Sequence, residues 1–324
     1  MQISTLLMAC CLVTLSPTLL SAQSSEQHVG DWLRKMVSAV HSLNYQGTFV
    51  YLHGNQLESM QVIHTVGKEG ERERLISLNG VPREVVRDNA SVTCIAPDAK
   101  SVSISNRFAG RGFRAVFSMN TKELASYYNF HMLGDARVAD RLAKVVAIVP
   151  KDGYRYGYRI YLDQKNALPL KTDMLNAEGD AVSQIMFTRI QVDPAIKDKA
   201  EFAMEGKENY AWIQQKSARL MQKNAPRRWS FAKLPGGFNI TIHTTKSKKQ
   251  GNSAVDHFVL SDGLASLSVY VEKTEDEGLR GNTRIGAVNA FGSEFDGHQV
   301  TVVGEVPAIT VEKVADAIQS SPNR

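Results

Sequence analysis

Residues 153–172 read Gly-Tyr-Arg-Tyr-Gly-Tyr-Arg-Ile-Tyr-Leu-Asp-Gln-Lys-Asn-Ala-Leu-Pro-Leu-Lys-Thr. Side chains on a strand alternate between faces, so Tyr154, Tyr156, Tyr158, Ile160 and Leu162 are expected on one face and Arg155, Gly157, Arg159, Tyr161 and Asp163 on the other. Turn-forming residues at 163–166 then break the run. A return strand over 168–175 follows, with Pro169 suited to a strand start or an edge because it lacks an N–H. The result is a hairpin with an aromatic face, and pattern alone does not distinguish a filled interior from a hollow one.

Outward from this hairpin the chain reads as more strands. Short alternating segments at 45–53, 57–66, 72–78, 83–87, 92–96 and 102–105 are punctuated by Gly, Asn and Asp, which predicts an antiparallel meander. Asn120 caps a short helix over 122–128, strand-like alternation resumes over 138–149, and 181–192 is a further strand. No helix separates these strands, so the connections are hairpins. Val29, Trp32, Leu33, Met36, Val37 and Val40 fall on one face of an amphipathic helix, and one or two helices are expected to pack on the concave side of the curved sheet. Ala109-Gly110-Arg111-Gly112-Phe113 lacks the context of a phosphate loop and reads as a flexible loop over 107–116.

The pattern loses its period between 193 and 226, the expected connector, part helix and part mobile. Strands return at 229–234, 238–244, 255–260, 267–272, 285–291 and 299–305, closed by a helix presenting Val311, Val314, Ala315 and Ile318. The fold class expected is therefore mainly β (α+β): a large open antiparallel barrel or half-barrel with packed helices, then a smaller antiparallel α+β domain. Its boundaries are 1–22 for a signal peptide, 23–200 for the large domain, 201–226 for the linker and 227–324 for the small domain.

The 324 residues carry 38 basic and 33 acidic side chains, a formal charge of +5 with pI near 9.0. That balance suits anionic partners without choosing one. Residues 1–22 hold no charged side chain and end in Ser21-Ala22, which predicts a secretory signal cleaved near Ala22, with an uncleaved membrane anchor as the alternative. Cleavage there removes Cys10 and Cys11 and leaves Cys94 without an internal disulfide partner.

For catalysis, the tightest constellation is Glu294, Asp296 and His298, which share a strand face, but Asp296-Gly297 is also a hairpin signal. No metal spacing, nucleophile elbow or Cys-x-x-Cys pair is present. The expectation is no catalytic residue, no metal and no cofactor. The basic loop around Lys246, Lys248 and Lys249 reads as solvated surface or as a partner contact.

Five segments of the second half, Leu234-Pro235-Gly236-Gly237-Phe238, Leu260-Ser261-Asp262-Gly263-Leu264, Ser268-Val269-Tyr270-Val271-Glu272, Gly286-Ala287-Val288-Asn289-Ala290 and Val300-Thr301-Val302-Val303-Gly304-Glu305-Val306-Pro307, resemble the carboxy-terminal half of the periplasmic sigma-E regulators RseB and MucB. Tyr45-Gln46-Gly47-Thr48-Phe49-Val50-Tyr51 and Tyr158-Arg159-Ile160-Tyr161-Leu162-Asp163 extend the resemblance to the first half. It implies a periplasmic regulator whose large domain is similar to the lipoprotein carriers LolA and LolB and encloses a hydrophobic cavity. It also implies that the periplasmic segment of a membrane-anchored anti-sigma factor of RseA or MucA type is held, shielded from proteolysis, and released by lipid or lipopolysaccharide. Nucleic acid is not an implied partner, and a homo-oligomer is left open. On this reading Phe49, Tyr51, Tyr154, Tyr156, Tyr158, Ile160, Met174 and Met186 are the lipid-cavity candidates, with Arg72, Arg74, Arg155 and Arg159 as rim cations. Trp212, Arg227, Arg228, Trp229, Lys246, Lys248 and Lys249 are the partner-binding candidates. A periplasmic lipid or lipoprotein carrier of the LolA/LolB type is the alternative.

Overall fold

The computed structural model describes residues 18–106, 120–196, 206–214, 228–247, 254–274 and 278–321. The first half forms one sheet of 12 strands. In chain order these are β1 (Tyr45–His53), β2 (Gln56–Gly67), β3 (Gly70–Ser77), β4 (Glu84–Arg87), β5 (Ser91–Ala96), β6 (Ser101–Asn106), β7 (Tyr128–Val138), β8 (Arg141–Pro150), β9 (Gly157–Asp163), β10 (Pro169–Leu175), β11 (Ala181–Val192) and β12 (Ala211–Gln214). Their spatial order is β12-β6-β5-β4-β3-β2-β1-β11-β10-β9-β8-β7, so the sheet is open, with β12 and β7 at its ends. Neighbours are antiparallel except β12 and β6, which run parallel. The loop expected over 107–116 lies outside the described residues.

The hairpin that decides the fold is built by its turn. Asp163 N–H donates to Leu168 O at 2.9 Å, Lys165 N–H to Asp163 Oδ1 at 2.7 Å and Leu168 N–H to Asn166 Oδ1 at 3.0 Å, while Ala167 takes φ 60°. Asp and Asn thus satisfy the reversing backbone with their own side chains. Pro169 opens β10, where no ladder donor is needed. Strand β9 starts only at Gly157, however, and residues 154–156 lie outside the sheet, so the alternation expected from Tyr154 onward holds only from Tyr158.

Helix α1 (Thr18–Ser42) runs through the expected cleavage position and lays Val29, Leu33, Met36 and Val40 against the sheet. Those side chains join Tyr158, Ile160, Leu162, Val146 and Ile148 in one buried cluster. No helix among the described residues is long and apolar enough to cross a membrane. A short helix α2 (Thr121–Leu124) is capped by Asn120, whose side chain accepts from Lys122 N–H at 3.2 Å.

The second half forms a sheet of six strands, β14 (Asn239–Ser247), β15 (Ala254–Ser261), β16 (Ser266–Lys273), β17 (Gly281–Ile285), β18 (Val288–Phe295) and β19 (His298–Gly304), in the order β14-β15-β16-β19-β18-β17. Helix α3 (Ala308–Asp316) covers one face with Val311 and Val314, and β13 (Trp229–Phe231) pairs with β20 (Ile318–Ser320).

Four expectations change. Strand β7 replaces most of the segment between the short helix and 138; its alternation is interrupted by a register shift between Met132 and Gly134 and by exposed Leu133. The strand expected over 285–291 is divided by a turn at Gly286, φ 60°, into β17 and β18. Ile318 belongs to β20 rather than the last helix. Residues 211–214 of the connector are a strand.

Ile160 is wholly buried and Leu142 is 62% exposed. Ile160→Ala is expected to cost about 2–5 kcal/mol in denaturant unfolding, because it leaves a cavity in this cluster, and Leu142→Ala within about 0.5 kcal/mol of zero. Equal costs would contradict the assigned core face.

Candidate functional site

Residues 154–156, just before β9, fasten the large sheet to the second one. Tyr154 O accepts from Thr310 Oγ1 of α3 at 2.8 Å. Tyr156 Oη accepts from Asn289 Nδ2 of β18 at 2.9 Å, and the same amide donates to Val306 O at 2.7 Å. Between them Arg155 donates from Nε to Asp262 Oδ2 at 2.8 Å and also to Gly236 O and the Asp152 carboxylate. The Arg155 and Asp262 side chains are both fully buried.

Asp262 lies in the β15–β16 turn, and donors surround it. Oδ1 accepts from Leu264 N–H at 2.9 Å and Ala265 N–H at 2.7 Å, and Oδ2 also accepts from Tyr128 Oη at 2.9 Å. The guanidinium carbon of Arg155 lies 5.0, 5.5 and 5.1 Å from the ring centroids of Tyr127, Tyr128 and Phe238. Rings on both halves therefore supply a cation–π environment for a charge removed from water. The Pro235-Gly236-Gly237 turn is shaped to this contact: Gly237 has φ 85°, and a Cβ there would sit 2.6 Å from the Tyr127 ring.

The hydroxyls near this seam are neutral. Burial, then the Asp262 charge, pushes Tyr128 well above the usual phenol range, and burial, then Glu305, does the same to Tyr158; burial, then Glu305, also raises Tyr51. Burial also raises Tyr156, and it raises the Glu305 carboxyl at the end of β19. An array of neutral hydroxyls and apolar rings can pack against an uncharged chain.

The lipid-cavity candidates divide between places. Register puts Tyr158, Met174, Ile160, Phe49 and Tyr51 on one face of the large sheet through the pairs Tyr158↔Met174, Ile160↔Thr172, Thr172↔Ile185 and Ile185↔Tyr51. At Tyr158, Ile160 and Met174 that face is buried in the same cluster as Leu33 and Met36 of α1. Phe49 meets Phe187 edge-to-face at 5.8 Å, and the Tyr51 ring lies tilted against His53 at 4.7 Å. Met186 lies on the opposite face, in a separate cluster with Leu170 and Tyr161. Tyr154 and Tyr156 are in the seam. Arg155 is not a rim cation, and Arg74 is held by Glu84.

Of the partner-binding candidates, Trp212 is 51% exposed on edge strand β12. Trp229 is 1% exposed, packed against His298 at 4.9 Å in the core of the second sheet, so it is not a surface contact. Exposed Arg228 lies over its ring at 5.0 Å. Lys246 is in β14, opposite Val255; Arg227, Lys248 and Lys249 lie outside the described residues. The Glu294, Asp296 and His298 group resolves into a hairpin: Asp296 and Gly297 take φ 49° and 68°, Glu294 pairs with Arg280 at 2.7 Å, and His298 Nδ1 donates to Asp296 O at 2.6 Å. Among the described residues no group of three or more His, Cys, Asp or Glu is placed to hold a metal.

The first half, residues 28–204, matches the MucB/RseB N-terminal domain, and residues 223–319 match the MucB/RseB C-terminal domain. The chain belongs to the MucB/RseB family. It is 30% identical over 297 residues to the sigma factor AlgU regulatory protein MucB of Pseudomonas aeruginosa, covering 89% of this chain and 90% of that protein. It is 27% identical over 299 residues to the sigma-E factor regulatory protein RseB of Haemophilus influenzae, covering 92% and 93%. A crystal structure of MucB in complex with MucA(peri) superposes with TM-score 0.70 at 28% identity, over 90% of this chain and 99% of that one; MucB by itself gives 0.66 at 30%, over 91% and 98%. In this MucB/RseB protein the seam joins the segments matched by the two family models.

Arg155→Met leaves Asp262 buried without its cation and is expected to lower unfolding stability by about 3–5 kcal/mol. Arg155→Lys should recover only part of it, since one ammonium does not reproduce the fork that reaches Asp262 and Gly236 together; full recovery by Lys would refute the geometric role. The sign of the Glu305 effect is also fixed. Its raised carboxyl holds a proton more tightly when folded, so its stabilising contribution is present below the ordinary carboxyl range and is lost as pH rises through the folded value. The Tm of Glu305→Gln relative to wild type should therefore climb as pH rises above the ordinary carboxyl range; a pH-independent difference would contradict it.

Proposed function

We propose that this protein is a periplasmic regulator of an envelope-stress sigma factor. It binds the periplasmic segment of a membrane-anchored anti-sigma factor of RseA or MucA type, shields it from regulated proteolysis and releases it when lipid or lipopolysaccharide binds. The observation that carries this reading is the likeness, through both sheets, to MucB in its complex with MucA(peri), over 99% of that chain. It is a binding function and requires no catalytic group.

The lipid half is supported by the position of the ring-bearing segment. Tyr158 stands on the inner face of the large sheet, while Tyr156, two residues earlier, is hydrogen-bonded to Asn289 of the second sheet. A chain inserted beside Tyr158 displaces packing that continues directly into the seam. Acyl burial supplies about 0.8 kcal/mol per CH₂ for that work. A ligand that favours one arrangement of the sheets weakens a partner that favours the other by the same factor that the partner weakens the ligand.

A carrier of lipid or lipoprotein is the second reading, favoured by the open apolar sheet alone. Against it stands the second sheet, held to the first by a buried ion pair that a carrier does not need. Titrating a labelled periplasmic anti-sigma segment should give saturable binding, and lipopolysaccharide should raise its Kd at least about tenfold, or about 1.4 kcal/mol. Binding unaffected by lipopolysaccharide would remove the release step. No binding, together with lipid transfer to acceptor vesicles, would favour the carrier.

A further inference from the structure

Large aliphatic side chains are exposed together at one end of the molecule. Leu52 and Leu57, 40% and 57% exposed, are directly opposed across the β1–β2 hairpin. Leu78, 52% exposed, donates its N–H to Ser59 O at 2.8 Å, which places it diagonal to Leu57 on the same face. Asn79 fixes this loop to β2: its side chain donates to Leu57 O at 2.9 Å and accepts from Ser59 N–H at 2.7 Å. Val81, 70% exposed, follows in the same loop. The second sheet completes the rim. Gly54 in the β1–β2 turn and Gly286 in the β17–β18 turn approach so closely that a Cβ on Gly286 would lie 3.0 Å from Gly54 N, and Ile285 beside it is 72% exposed.

We infer that this rim is a membrane-docking surface that sets the tips of three turns on an anionic bilayer. Contiguous exposed apolar side chains mark interaction sites, and protruding aliphatic tips reach the shallow depth at which interfacial proteins bury apolar groups. The cation beside them is exposed Arg284, whose Nε donates to Gly286 O at 3.0 Å and which precedes Ile285; Arg83, two residues after Val81, is already neutralised by its ion pair with Glu58. With a formal charge of +5 on the chain, this complements anionic headgroups. A second copy of the chain is a poorer occupant, because five aliphatic residues on separate turns fall far short of the roughly 20–30 residues a side in a standard protein interface. Leu52, Leu57 and Leu78 stand on the face of β1–β2 opposite Phe49 and Tyr51, so docking through them is distinct from ligand entry beside those rings.

The test is sedimentation of the purified protein with vesicles of phosphatidylethanolamine and phosphatidylglycerol, with wild type and variants prepared identically. Leu57→Ser/Val81→Ser, and independently Leu78→Ser, should lower the vesicle-bound fraction at least about fivefold while leaving Tm and anti-sigma-segment affinity unchanged. Binding should fall at high salt and on phosphatidylcholine vesicles. Short-chain phosphatidylglycerol below its micelle concentration should bind wild type and variants alike if it enters the sheet. Equal vesicle binding by wild type and variants, or no vesicle binding by wild type, would overturn the inference. A wild-type dimer lost in the variants would assign the rim to a second copy.

Discussion

The structure turns on one buried ion pair, Arg155 with Asp262, set between two sheets. Taking both charges out of water is costly, and their attraction alone does not repay it. The surroundings do: Asp262 receives two backbone N–H donors, the Tyr128 hydroxyl and the Arg155 Nε–H, and Arg155 also reaches a carbonyl and lies against three rings. Such an arrangement is stringent. Shifting the sheets would leave a buried charge unpaired, so the contact specifies how the halves meet more than it adds to net stability.

That constraint gives the aromatic stretch two roles. From Tyr158 to Leu162 it is sheet, with its inner face buried against α1. From Tyr154 to Tyr156 it is seam, bonded to Thr310, Asp262 and Asn289. Wall and joint are thus adjacent links of one backbone, the connection that the proposed release of a protein partner by lipid requires.

Most strands were legible because the signals for them are local. The boundaries of β1 and β11 follow alternation between turn residues, and Pro169 marks the start of β10. Where the local signal fails, so does the reading: the bulge after Met132 hides β7, and Gly286 looks like an ordinary strand residue until a second turn, at Gly54, is seen packed against it. The seam was not legible at all. Asp262 in Ser261-Asp262-Gly263 is what any turn contains, and Arg155 fits an exposed strand position as well as a buried one; only the tertiary approach of residues 107 apart gives them a shared purpose. Trp229 fails for the opposite reason, since a tryptophan beside arginines suits a partner surface by composition and yet fills a core.

The most direct test is a double-mutant cycle on Arg155→Met and Asp262→Leu, read by denaturant unfolding. If the ion pair sets the seam, each single change is far more damaging than its share of the double, with an interaction energy of about 2–3 kcal/mol. Effects that add to within about 0.5 kcal/mol would mean that the two side chains act independently and that something else joins the sheets.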